Sequence, residues 1–239
     1  MMWMQKSIST QKLLRFDFSL LTEAQIEMSL KDKNRLPLLG VLMANALAFY
    51  FVLNLEKLLS QDVVKDLSSN WETIIPLGGT FILTTLFNGL LPSEFKARLV
   101  FWKWNNPLPS RAAFTHYALK DQRIDLSVIQ SRYAPLPTER EEAAQSSLWY
   151  RIYKKFRDDP SIVHVHQDFL FMRDWCGLSL IALIVLGIIT IFLVDSVRIV
   201  VFYLLALFAQ YIFTMISARN YGERMVTTVL ALESTDMVT

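Results

Sequence analysis

Four stretches of twenty residues without a charged side chain constrain the fold of this chain most. They span 36–55, 73–92, 175–194 and 199–218, and none contains Asp, Glu, Lys or Arg. The hydrocarbon core of a bilayer is ~30 Å thick, and a helix needs ~20 apolar residues to cross it. One such stretch is compatible with a buried helix of a soluble protein, but four favour an all-α membrane protein with four transmembrane helices.

These stretches divide the chain of 239 residues into five parts. An N-terminal segment (1–35) precedes the first transmembrane hairpin (36–92), which holds spans one and two. A helical segment (93–174) separates it from the second hairpin (175–218), which holds spans three and four, and a tail (219–239) follows. Spans three and four are joined by residues 195–198 alone, so we expect these two helices to be antiparallel neighbours.

The distribution of basic residues predicts the orientation. Residues 1–35 contain six Lys and Arg and residues 93–174 contain thirteen, whereas 56–72 contains two and 195–198 contains one. Basic loops stay on the cytoplasmic side of a membrane. We therefore predict a multi-pass protein of the inner membrane, with both termini and the helical segment in the cytoplasm.

The helical segment contains clear start signals for helices. Asp125 is a predicted N-cap, and Asp159-Pro160 has the pattern of an N-cap followed by the first helical residue. Nothing breaks the helix from there to residue 194, so the third transmembrane helix should continue ~52 Å as one rod, at ~1.5 Å per residue. Thr138 and Glu141 form a predicted capping box for the helix before it.

That preceding helix is predicted to be amphipathic. Trp149, Ile152, Tyr153 and Phe156 form an apolar stripe, and four basic residues lie on the other side. Such a helix binds an anionic membrane surface or a partner, or its apolar stripe covers a small core. We favour core packing and keep the basic residues as candidates for membrane-surface or partner contact: Arg151, Lys154, Lys155 and Arg157.

Two spans contain polar residues that recur at helical spacing and so share a face. Polar side chains in lipid need partners, so these residues face protein or water. Hydrogen bonding between helices is the favoured interpretation, and the wall of a pore is the alternative. The candidates are Thr80, Thr84 and Asn88 in span two and Gln210, Thr214 and Ser217 in span four.

The sequence predicts neither a catalytic residue nor a cofactor or metal site. No phosphate-binding loop, dinucleotide fingerprint or nucleophile elbow occurs in it. His164, His166 and Asp168 could share a metal on a strand, but a helix directs residues two apart to different sides. No ionisable residue lies within a span, which argues against a proton-coupled transporter.

The layout resembles the small four-helix membrane subunits of bacterial antiviral defence systems, such as the Kiwa-type membrane subunit. Two hairpins flank a helical segment, LVFWKWNNPLPSRAAF follows span two, and ARNYGERMVTTVLAL follows span four. The resemblance is one of organisation over the whole chain and transfers no residue. It implies an inner-membrane subunit with a role in antiviral defence.

The sequence is therefore compatible with three functions. The first is a non-enzymatic homo-oligomer in the lipid bilayer that couples a cytoplasmic signal or protein partner to a membrane response. The second is an ion channel or pore-forming effector, and the third is a membrane enzyme that uses His116, His164 or His166. The net charge of +2 is too small to indicate direct nucleic-acid binding.

Overall fold

The computed structural model describes residues 32–55 and 89–236, and the regular elements in these two ranges are all helical. Helices with both ends in these ranges are numbered in chain order. They are α1 (Asp32–Leu55), α2 (Ser93–Phe101), α3 (Ala118–Lys120), α4 (Leu126–Tyr133), α5 (Glu142–Phe156), α6 (Pro160–Leu193) and α7 (Val197–Thr235). A 3-10 turn (Pro109–Ala112) and a π-helical turn (Ala113–Tyr117) lead into α3.

Three of these helices, α1, α6 and α7, are long and apolar enough to cross a membrane. Apart from residue 194, they contain the predicted spans one, three and four. The all-helical class is therefore confirmed for the described ranges, together with three helices of membrane-spanning length. Of the predicted second span, 73–92, only residues 89–92 are described. Span two, the first hairpin and the candidates Thr80, Thr84 and Asn88 therefore lie wholly or largely outside the described residues.

Helices α6 and α7 form the second hairpin, joined through residues 194–196. The two helices approach closely at Gly187, where an added Cβ would lie 2.8 Å from Leu204 Cδ2. The other sides of the hairpin carry large exposed apolar side chains, among them Phe192, Phe202 and Phe213. Such a continuous apolar surface is typical of helices that contact lipid. We call residues 175–218 the apolar hairpin.

Helix α1 packs along the hairpin in the same direction as α6. Near its start, Asn34 Nδ2 donates to the Gln167 carbonyl at 2.9 Å. Near its end, the buried Phe49 stacks on Tyr203, with ring centroids 6.2 Å apart. Gln167 precedes the apolar part of α6, and Tyr203 lies beside its far end. Helices α1 and α6 therefore enter the apolar region from the same side, as the charge distribution predicts.

The segments of α6 and α7 outside the apolar hairpin build a second body together with α2–α5. We call it the helical domain (residues 93–174 and 219–235). Its core joins the aromatic stripe of α5 to both long helices, so the favoured interpretation of this stripe agrees with the structure. The core includes Trp149, Ile152 and Tyr153 of α5, Ile162, Val165 and Phe169 of α6, and Met225, Val226, Val229 and Leu230 of α7.

Local capping explains where these helices begin. Asp125 accepts a hydrogen bond from Ser127 N at 2.9 Å, and Asp159 accepts one from Ser161 N at 2.8 Å, as predicted. The capping box is only half formed. Glu141 Oε2 accepts from Thr138 N at 2.8 Å, but α5 begins at Glu142 because a turn occupies the residues between them.

Candidate functional site: a cavity in the helical domain

A cavity of about 300 Å³ lies inside the helical domain. Its walls come from α5, from the 3-10 turn and the start of α2, and from the parts of α6 and α7 that have just left the apolar hairpin. Residues 169–173 of α6 and 222–226 of α7 supply much of this lining. Any molecule in the cavity would therefore contact the same two helices that continue into the apolar hairpin.

One wall of the cavity is aromatic. Helical spacing on α5 brings Trp149, Tyr150 and Tyr153 to the same face, and the ring of Tyr153 stacks on both of the others, with centroids 5.5 Å and 6.0 Å away. Trp149 Nε1 donates to the Val226 carbonyl at 3.3 Å, which fixes this wall to α7. Tyr153 Oη and His166 Nδ1 lie 3.2 Å apart, which links it to α6.

The lining contains three basic residues. Arg157 follows the last residue of α5, and His166 and Arg173 lie two turns apart on α6; none of the described lining residues is acidic. Arg173 is only 6% exposed. Its Nη2 and Nε each lie 3.2 Å from Asp174 Oδ1, which also lies 3.3 Å from Lys96 Nζ. Arg173 thus shares one carboxylate with another buried cation.

Gly222 permits the close approach of three helices beside the cavity. A Cβ at this position would lie 2.9 Å from Phe101 Cζ and 3.1 Å from Phe169 Cε2. Contacts this short force the neighbouring rings or helices to move. A methyl group here would therefore disturb α2, α6 and α7 together, at the level where the domain joins the hairpin.

A buried carboxylate fastens the far end of α7 to the helical domain. Glu233 is 1% exposed, and its Oε1 accepts from Tyr133 Oη at 2.7 Å and from Lys155 Nζ at 2.8 Å. Arg132 Nη1 also donates to the same oxygen. Burial opposes ionisation of Glu233, but the hydrogen bonds from Lys155, Tyr133 and Arg132 outweigh it and hold the pKa of this carboxyl below its usual range.

The four basic residues predicted for a membrane surface or partner do not act as one patch. Lys155 is engaged by Glu233, and Arg157 lines the cavity. The Lys154 ammonium lies 4.8 Å from the centre of the Tyr150 ring. Arg151 is exposed on the outer face of α5 and remains a candidate for surface contact.

Helix packing accounts for one of the three polar residues predicted to share a face of span four. Thr214 is 5% exposed; its hydroxyl donates to the Gln210 carbonyl at 2.9 Å and lies 3.5 Å from Ser179 Oγ on α6. Gln210 and Ser217 are half-buried. Thr214 therefore belongs to the interface between α6 and α7.

In α1, the side-chain amides of Asn45 and Asn54 donate to backbone carbonyls one turn back, at 3.0 Å and 2.9 Å. These amides are therefore satisfied within their own helix.

The three histidines contact different groups of the protein. His164 is exposed and its Nε2 lies 3.7 Å from Asp168, whereas His166 points to Tyr153 in the cavity wall. The helical backbone separates the two, as residues two apart must be on a helix. His116 packs edge-on to its neighbour Tyr117. Within 32–55 and 89–236 no three His, Cys, Asp or Glu side chains are grouped to hold a metal.

Sequence reasoning missed the cavity cation Arg173 and the buried Glu233. Arg173-Asp174 stands directly before the third apolar stretch, and a paired acid and base at that position was an available signal for a buried ion pair. Glu233 gave no signal, because its three partners are 78 to 101 residues away in the chain. No family model, no curated protein and no solved structure matches this chain.

Proposed function

We propose that this chain is a non-enzymatic membrane protein that couples a cytoplasmic signal to a response in the membrane. The helical domain receives a ligand or a protein partner, and α6 and α7 transmit the event to the apolar hairpin. The protein works as a homo-oligomer in the inner membrane, with both termini in the cytoplasm. Its layout favours antiviral defence as the setting.

The observation that carries this proposal is the continuity of the two long helices. Helix α6 runs 34 residues and α7 runs 39 residues, each from the helical domain to the far end of the apolar hairpin. A helix transmits a rigid-body shift along its axis because its hydrogen-bonded backbone resists bending. The same two helices form a wall of the cavity, so an event there acts on the hairpin without an intervening loop.

Contacts at two levels along α7 support the transmission of movement. Glu233 fastens the end of α7 to α4 and α5, and the Trp149–Val226 hydrogen bond holds α5 to α7 nearer the hairpin. Side chains of α4 and α5 therefore hold α7 in place at two levels. A change in the domain core has to move α7 or break one of these contacts.

A substitution at Gly222 directly tests the coupling between the helical domain and the apolar hairpin. A nitroxide label on Asp195→Cys, in the exposed turn of the apolar hairpin, reports on movement at roughly 40 Å from residue 222, at ~1.5 Å rise per residue. The native Cys176 is fully buried and does not compete for the label. In lipid nanodiscs, Gly222→Ala should change the electron paramagnetic resonance spectrum of this label.

Gly40→Ala is the matched control, because a Cβ at Gly40 meets nothing within 4 Å. It should leave the spectrum as in the parent protein. The tryptophan fluorescence of Gly222→Ala verifies that the domain core has been disturbed. An unchanged spectrum at residue 195, together with altered fluorescence, contradicts coupling between the domain and the hairpin.

A further inference from the structure

We propose that the cavity binds a small planar aromatic anion, with its ring against the aromatic wall of α5 and its charged group on Arg173. The inference deepens the proposed function by naming a class of ligand, and it rests on that function only for the consequence of binding. Three properties of the cavity lead to it: its size, its aromatic wall and the sign of its charges.

The size of the cavity sets the size of the ligand. An apolar cavity of ~150 Å³ accommodates a single benzene ring. The cavity here has a volume of about 300 Å³, which is room for two fused rings with one charged substituent. The cavity is only partly enclosed, and Leu108 and Tyr150 in its lining are 41% and 38% exposed. A ligand of this size can therefore enter from the solvent around the helical domain.

The lining favours a flat ring over a saturated chain. Trp149, Tyr150 and Tyr153 present a stack of ring faces and edges, and Phe169 stands on the α6 side of the same cavity. Aromatic pairs prefer offset stacks or edge-to-face contacts and gain energy beyond the burial of area. Met225 adds a polarisable sulfur, which also packs well against aromatic rings.

The charges favour an anion. Arg157 and Arg173 line the cavity, and no acid does so among the described residues. Arg173 is the better anchor because it is buried and its position is fixed by Asp174 and by the Phe169 ring, whose centre lies 6.0 Å from the guanidinium carbon. Its Nε and Nη2 already meet Asp174 Oδ1, and the remaining N–H donors of the planar guanidinium suit a carboxylate or a phosphate.

The test uses 2-naphthoate as the probe and the full chain in lipid nanodiscs. Saturation-transfer NMR titrations, corrected with empty nanodiscs, give the Kd. Two comparison compounds separate the contributions: 2-naphthamide has the ring without the charge, and decanoate has the charge on a saturated chain. We expect 2-naphthoate to bind roughly tenfold or more tightly than 2-naphthamide, since a hydrogen bond to a charged group is worth about one order of magnitude in affinity. It should also bind up to roughly tenfold more tightly than decanoate, since aromatic pairs gain energy beyond the burial of area.

Three variants place the probe in the cavity. Arg173→Lys keeps the charge beside Asp174 but loses the planar fork, and should weaken binding roughly tenfold. Met225→Trp fills the cavity from α7 and should abolish binding, and it decides the matter if Arg173→Lys does not fold. Arg151→Gln, on the exposed outer face of α5, is the control and should leave the Kd unchanged.

Absence of saturation transfer from 2-naphthoate overturns the inference. So does binding that survives both Arg173→Lys and Met225→Trp, or decanoate binding as tight as that of naphthoate, which would assign the cavity to fatty acids. The proposed function fails separately. Naphthoate binding that leaves the label at residue 195 unchanged supports the ligand and contradicts coupling, whereas coupling on Gly222→Ala without naphthoate binding contradicts only the ligand.

Discussion

Glu233 holds together parts of the chain that no local pattern connects. Its carboxylate is buried on α7, and it accepts hydrogen bonds from Arg132 and Tyr133 on α4 and from Lys155 on α5. Lys155 and Arg132 are partly exposed, so water screens the attraction. The cluster stabilises the fold mainly because the buried Glu233 carboxylate would be unfavourable in free energy without its partners.

We predict that Glu233→Gln lowers the free energy of unfolding of the helical domain by about 1–3 kcal/mol, because two cations lose their counter-ion around a buried position. Thermal unfolding in detergent, followed by circular dichroism, measures the change. Glu94→Gln is the control, since Glu94 is exposed and pairs with Arg98 on the surface of α2. It should cost no more than ~0.5 kcal/mol.

The contribution of Glu233 should depend on pH in one direction. Its pKa is lowered in the folded protein, so the unfolded chain, with a glutamate pKa of roughly 4.3, takes up a proton at higher pH than the folded chain does. The stabilisation is complete well above the unfolded pKa and is lost as the pH falls through the lower folded pKa. The difference in melting temperature between the parent and Glu233→Gln should therefore shrink between pH 6 and pH 3, and a difference that grows contradicts the cluster.

Single-residue roles were the least predictable from the sequence. The helical period correctly assigned Trp149, Ile152 and Tyr153 to one face of α5. It also assigned Lys155 and Arg157 to the polar side, but it could not name what they meet. Lys155 pairs with Glu233, 78 residues away, and Arg157 lines the cavity, because tertiary packing and not local spacing brings these groups together.

At the scale of elements, α6 is the helix that the sequence described best. Asp159-Pro160 correctly predicted its start, and the absence of breakers predicted a run to residue 194, one residue beyond its observed end at Leu193. Span two could not be compared in this way, since Thr80, Thr84 and Asn88 lie outside the described residues. Local chemistry determines where a helix begins, whereas the contacts between helices depend on the whole chain.

Val165 is the position where the continuity of α6 can be broken. It is 4% exposed and lies in the helix interior, in the core of the helical domain. Val165→Pro removes a backbone hydrogen bond and should destabilise the protein by ~3 kcal/mol or more. Thermal stability in detergent measures this cost.

Val165→Ala is the matched control for the loss of side-chain packing. It removes two methyl groups and should cost about 2 kcal/mol or less, at ~0.8 kcal/mol per buried CH₂. A proline variant no less stable than the alanine variant would show that the segment around residue 165 is not helical.

At the scale of the whole molecule, the protein consists of an apolar part and a helical domain that share two helices. Large apolar side chains cover the outer faces of the hairpin, whereas the charged side chains concentrate in the helical domain. Helix α1 enters the apolar part beside α6, with Asn34 bonded to Gln167. The basic residues predict that this shared entry side is the cytoplasm.

The location of the helical domain is the premise of the proposed function, since a cytoplasmic signal can reach the cavity only from that side. Cysteine labelling with a membrane-impermeant maleimide tests it most directly. Gln130→Cys is exposed in the helical domain, Asp195→Cys is exposed in the hairpin turn, and the buried native Cys176 provides a low background. In cells with a permeabilised outer envelope and an intact inner membrane, residue 195 should react, whereas residue 130 should react only after the inner membrane is broken. Labelling of residue 130 in cells with an intact inner membrane would contradict the proposed coupling.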